Sequence, residues 1–205
     1  MAITDIAAYA LIDFTEYKAI ANDANADENR TTAIINGVSE SIAGYCNRDF
    51  IATEHTEIID GNGRDELRLR HRPILDSDDS VSDPVLSIDD NLDGTWSAAS
   101  TYNYTLMWTG RKPEGIVYFK YGYQFPRGKR NLKMVYTAGY ANRAAVPVDL
   151  KEAVVEIVAA FKHKMEQQLH GVQTVNTMTE TTSYKLDEWP AGARETIDRY
   201  RRISV

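Results

Sequence analysis

The sequence of 205 residues has no long uninterrupted apolar run and little that would mark an exported protein. A membrane-spanning helix needs about 18 or more consecutive apolar residues, and no segment approaches that length. Asp5 and Asp13 stand near the start, where a secretory signal peptide would carry basic residues. We therefore expect a soluble protein that is made in the cytoplasm.

Cysteine is almost absent, since Cys46 is the single one in the sequence. It has no second cysteine with which to form an internal disulfide. It shares a helical face with Ile42 and Tyr45, a pattern that favours a packed side chain over a reactive thiol.

Positive charge is also scarce, because 23 Lys and Arg residues face 30 Asp and Glu residues and leave a net charge of −7. Tight binding of a phosphate backbone usually needs a basic face. The nearest approach to one is "FPRGKRNLK", which makes Arg127, Lys129 and Arg130 candidates for contact with DNA or an acidic partner. A solvated loop is the alternative.

What the sequence does have is a clear change of hydrophobic period along the chain. Asp13 is followed three residues later by Glu16, a capping-box spacing that predicts a short helix. Apolar residues then recur at helical spacing from about Asp27 to Tyr45, which predicts a longer helix. Because the chain is 43% hydrophobic, it can supply a sizeable core.

Between about Thr53 and Tyr136 the period becomes two, which predicts strands. The segment "EHTEIIDGNGRDELRLR" predicts a hairpin turning at Asp60-Gly61-Asn62-Gly63. Further alternating segments separated by turn residues complete a small antiparallel sheet: "PVLSIDD", "YNYTLMW", "GIVYFKYG" and "LKMVYTA".

A third helix is predicted from Pro147 to about Leu169, with Gly171 as its stop. Its apolar stripe consists of Leu150, Val154, Ile157, Val158, Phe161 and Met165. An isolated helix of this length gains too little to offset its ordering entropy, so we expect it to pack on the Asp27 to Tyr45 helix.

The predicted fold class is α+β: a helical bundle with an inserted small antiparallel β-sheet and a C-terminal arm that carries a short helix. The helical body comprises 1–52 and 138–172, the inserted β-region comprises 53–137, and the C-terminal extension comprises 173–205.

The motifs predict neither catalysis nor a metal or cofactor. His163, Glu166 and His170 share a helix face, but their spacing differs from that of a metalloprotease pair, and a polar surface is favoured. Asp89, Asn91, Asp93 and Gly94 imitate half of a calcium loop that ends on Ser100 instead of Glu, which favours a β-turn. No Ser/His/Asp or Cys/His arrangement can be assembled from spacing.

Four segments, in this order, together resemble one protein family. They are "SIAGYCNRDF" from Ser41, "IIDGNGRDELRLRHRPI" from Ile58, "FPRGKRNLKMVYTAGYANRAAVPVDLKEAV" from Phe125, and "WPAGARETIDRYRR" from Trp189. The third segment is the most specific, with its Tyr-Thr-Ala-Gly-Tyr turn followed by Val-Pro and an Asp-Leu helix start. The sequence is similar to head-to-tail connector proteins, also called adaptor or head-completion proteins, of long-tailed bacteriophages.

The resemblance implies a structural virion protein and not an enzyme. Members form rings, commonly of twelve subunits, below the capsid portal, with a stopper, tail terminator or other tail-side protein beneath. Genomic DNA passes through the channel without sequence-specific binding, and no membrane is involved. Assembly would take place in the host cytoplasm and the product would lie in the neck of the virion. Here the sheet region, with "LDSDDSVSD" and "DDNLDGTW", is larger than in the minimal members, which leaves its contacts open.

Two groups of residues acquire expected roles from this resemblance. Tyr136, Gly139, Tyr140 and Pro147 would form the structural turn that fixes how the sheet projects from the ring-forming body. Gly139 would supply the backbone freedom, and Pro147 would restart the helix. The tail would dock on the portal through Trp189, Arg194, Ile197, Arg199, Tyr200, Arg201 and Arg202. Packing of the tail on its own subunit as an ordinary final helix is the alternative.

A second function, from a different class, is also open. An aromatic sheet face could serve a carbohydrate-binding or hydrolytic domain, with a stacking surface of Trp96, Tyr102, Tyr104, Trp108 and Tyr118. Aromatic residues are enriched in strands of any function, which weakens this interpretation.

Overall fold

The chain divides into two compact units. The computed structural model describes residues 5–76, 82–89, 91–98, 106–107, 115–119, 124–166, 174–176, 181–183 and 189–202. Unit 1 comprises Met1–Arg48 and Arg143–Val205, and unit 2 comprises Asp49–Asn142. Unit 2 is therefore inserted, in sequence, between the two parts of unit 1.

Unit 1 is mainly helical. Its helices are α1 (Phe14–Ala21), α2 (Glu28–Cys46), α3 (Val148–Glu166) and α4 (Ala191–Tyr200), with a short 3-10 turn at Arg143–Ala145. Helix α3 packs against α1, α2 and α4. The sequence extension 173–205 was predicted as a separate arm, but α4 belongs to unit 1 because it packs on α2 and α3.

The starts of the first two helices follow from short-range capping. Asp13 accepts a hydrogen bond from the Glu16 amide at 2.8 Å, and the Glu16 carboxylate accepts one from the Asp13 amide at 3.1 Å. Asp27 caps α2 by accepting from the Arg30 amide at 2.7 Å. Both predicted helices are thus confirmed, the first with its complete capping box.

The interior of unit 1 is apolar and centres on α3. Leu150, Val154, Ile157 and Val158 are buried, as the predicted stripe requires. Phe161 was predicted to be buried and is 41% exposed, with the Lys164 ammonium 5.8 Å from its ring centre. The buried stripe of α3 therefore ends before its C-terminal turns.

No helix in the described part of the chain is both long and apolar enough to cross a membrane.

The described strands of unit 2 range from two to eleven residues and form two antiparallel sheets. The strands are β1 (Thr53–Gly61), β2 (Glu66–Arg68), β3 (Ile74–Leu75), β4 (Val85–Ile88), β5 (Ser97–Ala98), β6 (Leu106–Met107), β7 (Ile116–Phe119) and β8 (Gly128–Ala138). One sheet has the order β1-β8-β4-β5 with β3 also on β8, and the other has the order β2-β7-β6. Two further strands, β9 (Thr174–Asn176) and β10 (Thr181–Ser183), form a hairpin in unit 1.

The predicted hairpin between β1 and β2 is wrong. Strand β1 pairs with β8, from Thr53 opposite Ala138 to Gly61 opposite Gly128, whereas β2 pairs with β7. The long β8 offers β1 far more backbone hydrogen bonds than the three residues of β2 can provide. Asn62 supports the departure of the chain from the first sheet, since its side chain accepts from the Arg64 amide and donates to the Glu66 carbonyl.

The two sheets of unit 2 share one core. Alternate residues of β8 point into it, namely Leu132, Met134, Tyr136 and Ala138. The opposing side chains come from the β2–β7 sheet and its flanks: Leu67, Leu69, Val117, Phe119 and Phe125. Helices in one unit and sheets in the other confirm the α+β class.

Candidate functional sites

The terminal helix α4 is anchored on its own unit. Ile197 is 0% exposed, and its carbonyl accepts a hydrogen bond from the Cys46 thiol at 3.7 Å. The Arg202 amide donates to the Cys46 carbonyl at 3.0 Å. Ile197 is therefore a core residue and is not available as an anchor for another protein, which corrects the role expected for it.

The aromatic residues of the tail also make contacts within unit 1. The Tyr200 hydroxyl donates to Asp149 at 2.7 Å. The Trp189 ring lies edge-on to Tyr45 at 5.2 Å, and the Tyr45 hydroxyl donates to Asp198 at 2.5 Å. Helix α4 therefore packs on its own chain as an ordinary final helix, which is the alternative that the sequence left open.

The arginines of the tail remain on the surface. Arg194, Arg199 and Arg201 are exposed and Arg202 is half-buried. The Arg201 guanidinium lies 5.0 Å from the centre of the Tyr45 ring, a cation–π contact that holds it in place. The role of these arginines in docking stays a prediction.

Cys46 lies beneath this helix. It is buried, and burial raises the pKa of its thiol to about 11. The thiol is therefore protonated at neutral pH and a poor nucleophile, which confirms the prediction of a packing role.

Three of the four cations of the "FPRGKRNLK" segment lie at or just before the start of β8. Arg127, Lys129 and Arg130 are all exposed, and we call this cluster the basic tip. Arg127 packs so closely on Gly63 that a Cβ there would meet its side chain at 2.4 Å. The Arg130 amide donates to Asp60 at 2.7 Å.

A buried amide, Asn131, supports the basic tip. Its Oδ1 accepts from the Gly61 amide at 2.8 Å and its Nδ2 donates to the Pro126 carbonyl at 3.1 Å. A Cβ at Gly61 would approach the Pro126 carbonyl oxygen to 1.7 Å, so only glycine fits. The hydrogen bonds of Asn131 therefore fix the backbone of the basic tip. No sequence pattern predicted this role for Asn131.

The turn after β8 depends on Gly139. Its φ is +119°, and a Cβ there would meet the backbone of Phe50 and Ile51 at 2.8 to 2.9 Å. The Tyr140 amide donates to the Phe50 carbonyl, and the Ala52 amide donates to the Tyr140 carbonyl. Pro147 stands directly before α3, where the restart of the helix was expected, and its carbonyl accepts from the Lys151 amide at 3.1 Å. The part that this turn plays in assembly stays a prediction.

Tyr136 has a polar role that the sequence did not reveal. Its ring is buried, and its hydroxyl donates to Glu57 Oε1 at 2.6 Å. The same hydroxyl accepts from the His71 amide at 3.0 Å. Glu57 in turn accepts from the Arg70 amide at 3.1 Å and 3.2 Å. These bonds tie β1, β8 and the segment after β2 to one another.

Two histidines meet beside this network. The rings of His55 on β1 and His71 after β2 stack with centroids 3.7 Å apart and planes 9° apart. His55 Nε2 lies 3.8 Å from Asp49 Oδ2, and His71 Nε2 lies 3.8 Å from Glu57 Oε1. No motif spacing joins these residues, because distant pairing within unit 2 brings them together.

The side chains that the sequence suggested as possible metal ligands have other surroundings in the structure. Asp89 is buried and accepts hydrogen bonds from the amides of Asp93 at 3.3 Å and Gly94 at 2.9 Å, which forms a turn. Hydrogen bonds from Thr95 hold the pKa of Asp93 below its usual value. His163 and Glu166 are exposed on α3, while His170 lies outside the described residues.

The aromatic surface of the alternative function is described only in part. Trp96 is half-buried, with the Lys133 ammonium 4.9 Å from its ring centre, and Tyr118 is half-buried on β7. Tyr102, Tyr104 and Trp108 lie outside the described residues.

Comparison with known proteins identifies the fold and the family. A chain in the neck of an empty GTA particle, computed with C6 symmetry, is 19% identical with a TM-score of 0.53, over 98% of this chain and 94% of that chain. A chain in the neck of a native GTA particle, computed with C12 symmetry, is 16% identical with a TM-score of 0.52, and the match covers 98% of this chain and 93% of that chain. A third chain, from the virion of a native gene transfer agent (GTA) particle, is 17% identical with a TM-score of 0.52. This match covers 98% of this chain and 94% of that chain.

At these identities the structures show a shared fold. No curated protein matches this chain. A family model described as "Head completion protein" matches residues 10–203, nearly the whole sequence, and confirms the resemblance that the four sequence segments carried. The chain belongs to the head completion protein family.

Proposed function

We propose that this protein is a head-to-tail connector in the neck of a bacteriophage or phage-like virion. In this role it forms a ring that joins the capsid portal to the next neck or tail protein and lines the DNA exit channel. The observation that carries the proposal is the family match over residues 10–203. The fold likeness to chains from GTA necks, computed with C6 and C12 symmetry, supports it.

A closed ring requires every subunit to present two different surfaces that fit each other, because the contact runs head to tail around the circle. The C12 symmetry of one similar neck makes twelve the expected number of copies. A ring also multiplies weak contacts, since each added subunit binds the portal at a high effective concentration.

The outer side of α4 is the proposed portal contact. Trp189 and Tyr200 hold the helix at its two ends, and Ile197 holds it from beneath. The contact itself falls to the arginines of this surface, which suit an acidic partner and can bind carboxylates with two parallel hydrogen bonds. They are Arg194, Arg199, Arg201 and Arg202.

The charge of the chain suits a DNA channel. Twelve copies of a chain with net charge −7 carry about −84, which repels a phosphate backbone and lets DNA slide through. The basic tip of Arg127, Lys129 and Arg130 is a local exception, and we assign it to contact with DNA phosphates or with an acidic neighbour in the neck.

Co-sedimentation with purified portal tests the function. We expect the wild-type chain to travel with the portal at low salt and to be released as salt rises, because exposed charge contacts are screened. Arg199→Glu should weaken this association. Arg30→Glu is the matched control, since it makes the same change of charge at an exposed position on α2.

Three results separate the parts of the proposal. No association of the wild-type chain with its portal contradicts the connector function. Association that Arg199→Glu leaves unchanged contradicts the assignment of the contact to α4 while leaving the function intact. Equal weakening by Arg30→Glu shows that net charge, and not the α4 surface, governs binding.

A further inference from the structure

We propose that Asp49, His55 and His71 form a binding site for a divalent transition-metal ion such as Zn²⁺. One ligand atom from each of these side chains lies within 4.8 Å of the other two. Two imidazole nitrogens and a carboxylate oxygen are a donor set that zinc binds in proteins, with water or a further side chain completing a tetrahedron. The site lies entirely within unit 2 and does not depend on the connector function.

One separation in the cluster is already close to that of two ligands on a bound metal. Ligands about 2.1 Å from a tetrahedral zinc ion lie roughly 3.4 Å from one another. His55 Nε2 and Asp49 Oδ2 are 3.8 Å apart, so this pair needs only a small approach. The imidazoles are stacked in parallel, and their in-plane lone pairs do not converge. Binding therefore tilts the two rings apart by rotation about χ2, a torsion with a broad energy minimum.

One atom of the cluster has no hydrogen-bond partner in the described part of the chain. This atom is His55 Nε2, which is buried. Buried polar atoms are nearly always paired, and an unpaired one carries a desolvation cost. The Asp49 carboxylate beside it is 52% exposed, so a metal ion can enter from solvent on that side. A metal at this position satisfies the nitrogen and has an open path to reach it.

The surroundings of His71 resemble those of a supported metal ligand. Its Nε2 lies 3.8 Å from Glu57 Oε1, slightly beyond hydrogen-bond distance, and its amide donates to the Tyr136 hydroxyl. Coordination through Nδ1 would need only a small shift for Nε2 to donate to Glu57. Carboxylates behind metal-binding histidines orient the ring and raise its basicity. Glu57 is itself fixed, since it accepts from Tyr136 and from the Arg70 amide. The network thus holds the loop that carries His71 whether or not a metal is present.

A bound metal would join three segments of unit 2: the residues before β1, β1 itself and the loop after β2. Binding to the folded chain alone raises its stability in proportion to the logarithm of metal concentration. The sequence motifs around Asp89 and His163 predicted no metal, and Asp49, His55 and His71 belong to neither of them.

Zinc titration of chelator-treated full-length protein tests the site, with a chromophoric chelator as competitor and Co²⁺ absorption as a second probe. We expect a single zinc ion per chain, a d–d spectrum of a nitrogen- and oxygen-ligated cobalt ion, and a zinc-dependent rise in melting temperature. His55→Gln and His71→Gln should each weaken zinc binding about tenfold or more. His163→Gln, at an exposed histidine in unit 1, should leave it unchanged.

Asp49→Asn distinguishes loss of a ligand from misfolding, because it changes a half-exposed side chain and keeps the shape of that side chain. It should fold normally, with the same melting temperature in chelator as the wild type, and bind zinc more weakly. Absence of zinc binding in the wild type overturns the proposal. Binding that survives all three substitutions, or that His163→Gln removes, overturns it as well.

Discussion

The two units hold themselves together by different means. In unit 1, helix α3 buries an apolar stripe against three neighbouring helices, and Ile157 and Ile197 are completely enclosed. In unit 2, an apolar core is accompanied by buried polar side chains that bridge distant segments, notably Tyr136 and Asn131. Polar contacts also join distant segments of unit 1, such as Tyr200 with Asp149, but its centre is the apolar stripe of α3. In unit 2 the hydrogen bonds of Tyr136 and Asn131 lie where strands and loops from distant parts of the sequence meet.

The largest effect should come from a charge in the apolar interior. Ile157→Asp buries an unpaired carboxylate in unit 1 and should cost more than about 4 kcal/mol, enough to abolish soluble folded protein. Val148→Asp is the control on the same helix, because Val148 is 68% exposed and lies in the first turn, where acidic residues are favourable. Circular dichroism of the soluble fraction measures both. A folded Ile157→Asp protein would show that the α3 core is wrongly placed.

The next effect concerns whether α4 is part of that core. Ile197→Ala removes a fully buried side chain and should lower the free energy of unfolding by about 2 to 4 kcal/mol. Arg199→Ala, at an exposed site on the same helix, should change it by less than about 0.5 kcal/mol. Urea unfolding compares them. Equal stability of the two variants would mean that α4 does not pack on its own unit in solution, which would restore the interpretation of a free docking arm.

A smaller effect should follow from breaking the polar network of unit 2. Tyr136→Phe keeps the ring but leaves Glu57 and the His71 amide without their shared partner, at a cost of about 1 to 3 kcal/mol. Tyr9→Phe, at an exposed tyrosine, should cost almost nothing. Thermal unfolding of both variants provides the measurement. If Tyr136→Phe lowered the melting temperature no more than Tyr9→Phe, the hydrogen bonds of Tyr136 would contribute nothing to the stability of unit 2.

The smallest effect should come from a purely local contact. Asp13→Ala removes the capping box of α1 and should cost about 1 kcal/mol. Asp13→Asn retains the side-chain oxygen that accepts from the Glu16 amide and should recover most of that loss. Chemical denaturation resolves a difference of this size. Equal stability of the alanine and asparagine variants would show that the cap contributes little.

The helices of unit 1 could be predicted because their signals are local. Asp13 and Glu16 lie within one turn, and the stripe from Leu150 to Val158 repeats at helical spacing. The packing of α4 could not be predicted in the same way. Its few apolar residues made it marginal alone, and only the folded chain shows that Cys46, Tyr45 and Asp149 receive it.

In unit 2 the sequence predicted strands but not their partners. Alternation located β1, β4, β7 and β8, yet β1 pairs with a strand far along the chain and not with its neighbour. Alternation indicates which face of a strand is buried, but it does not choose between possible partners. The contact between His55 and His71 depends on which strands pair. No local sequence motif therefore identifies the cluster of Asp49, His55 and His71.

Electron microscopy of the purified chain mixed with its portal tests the connector function. We expect class averages in which a ring of this protein caps the portal, with the twelvefold symmetry with which one similar neck was computed. Portal particles that remain uncapped at saturating concentrations of the chain, while the chain stays a monomer or dimer, would show that it is not a ring-forming connector.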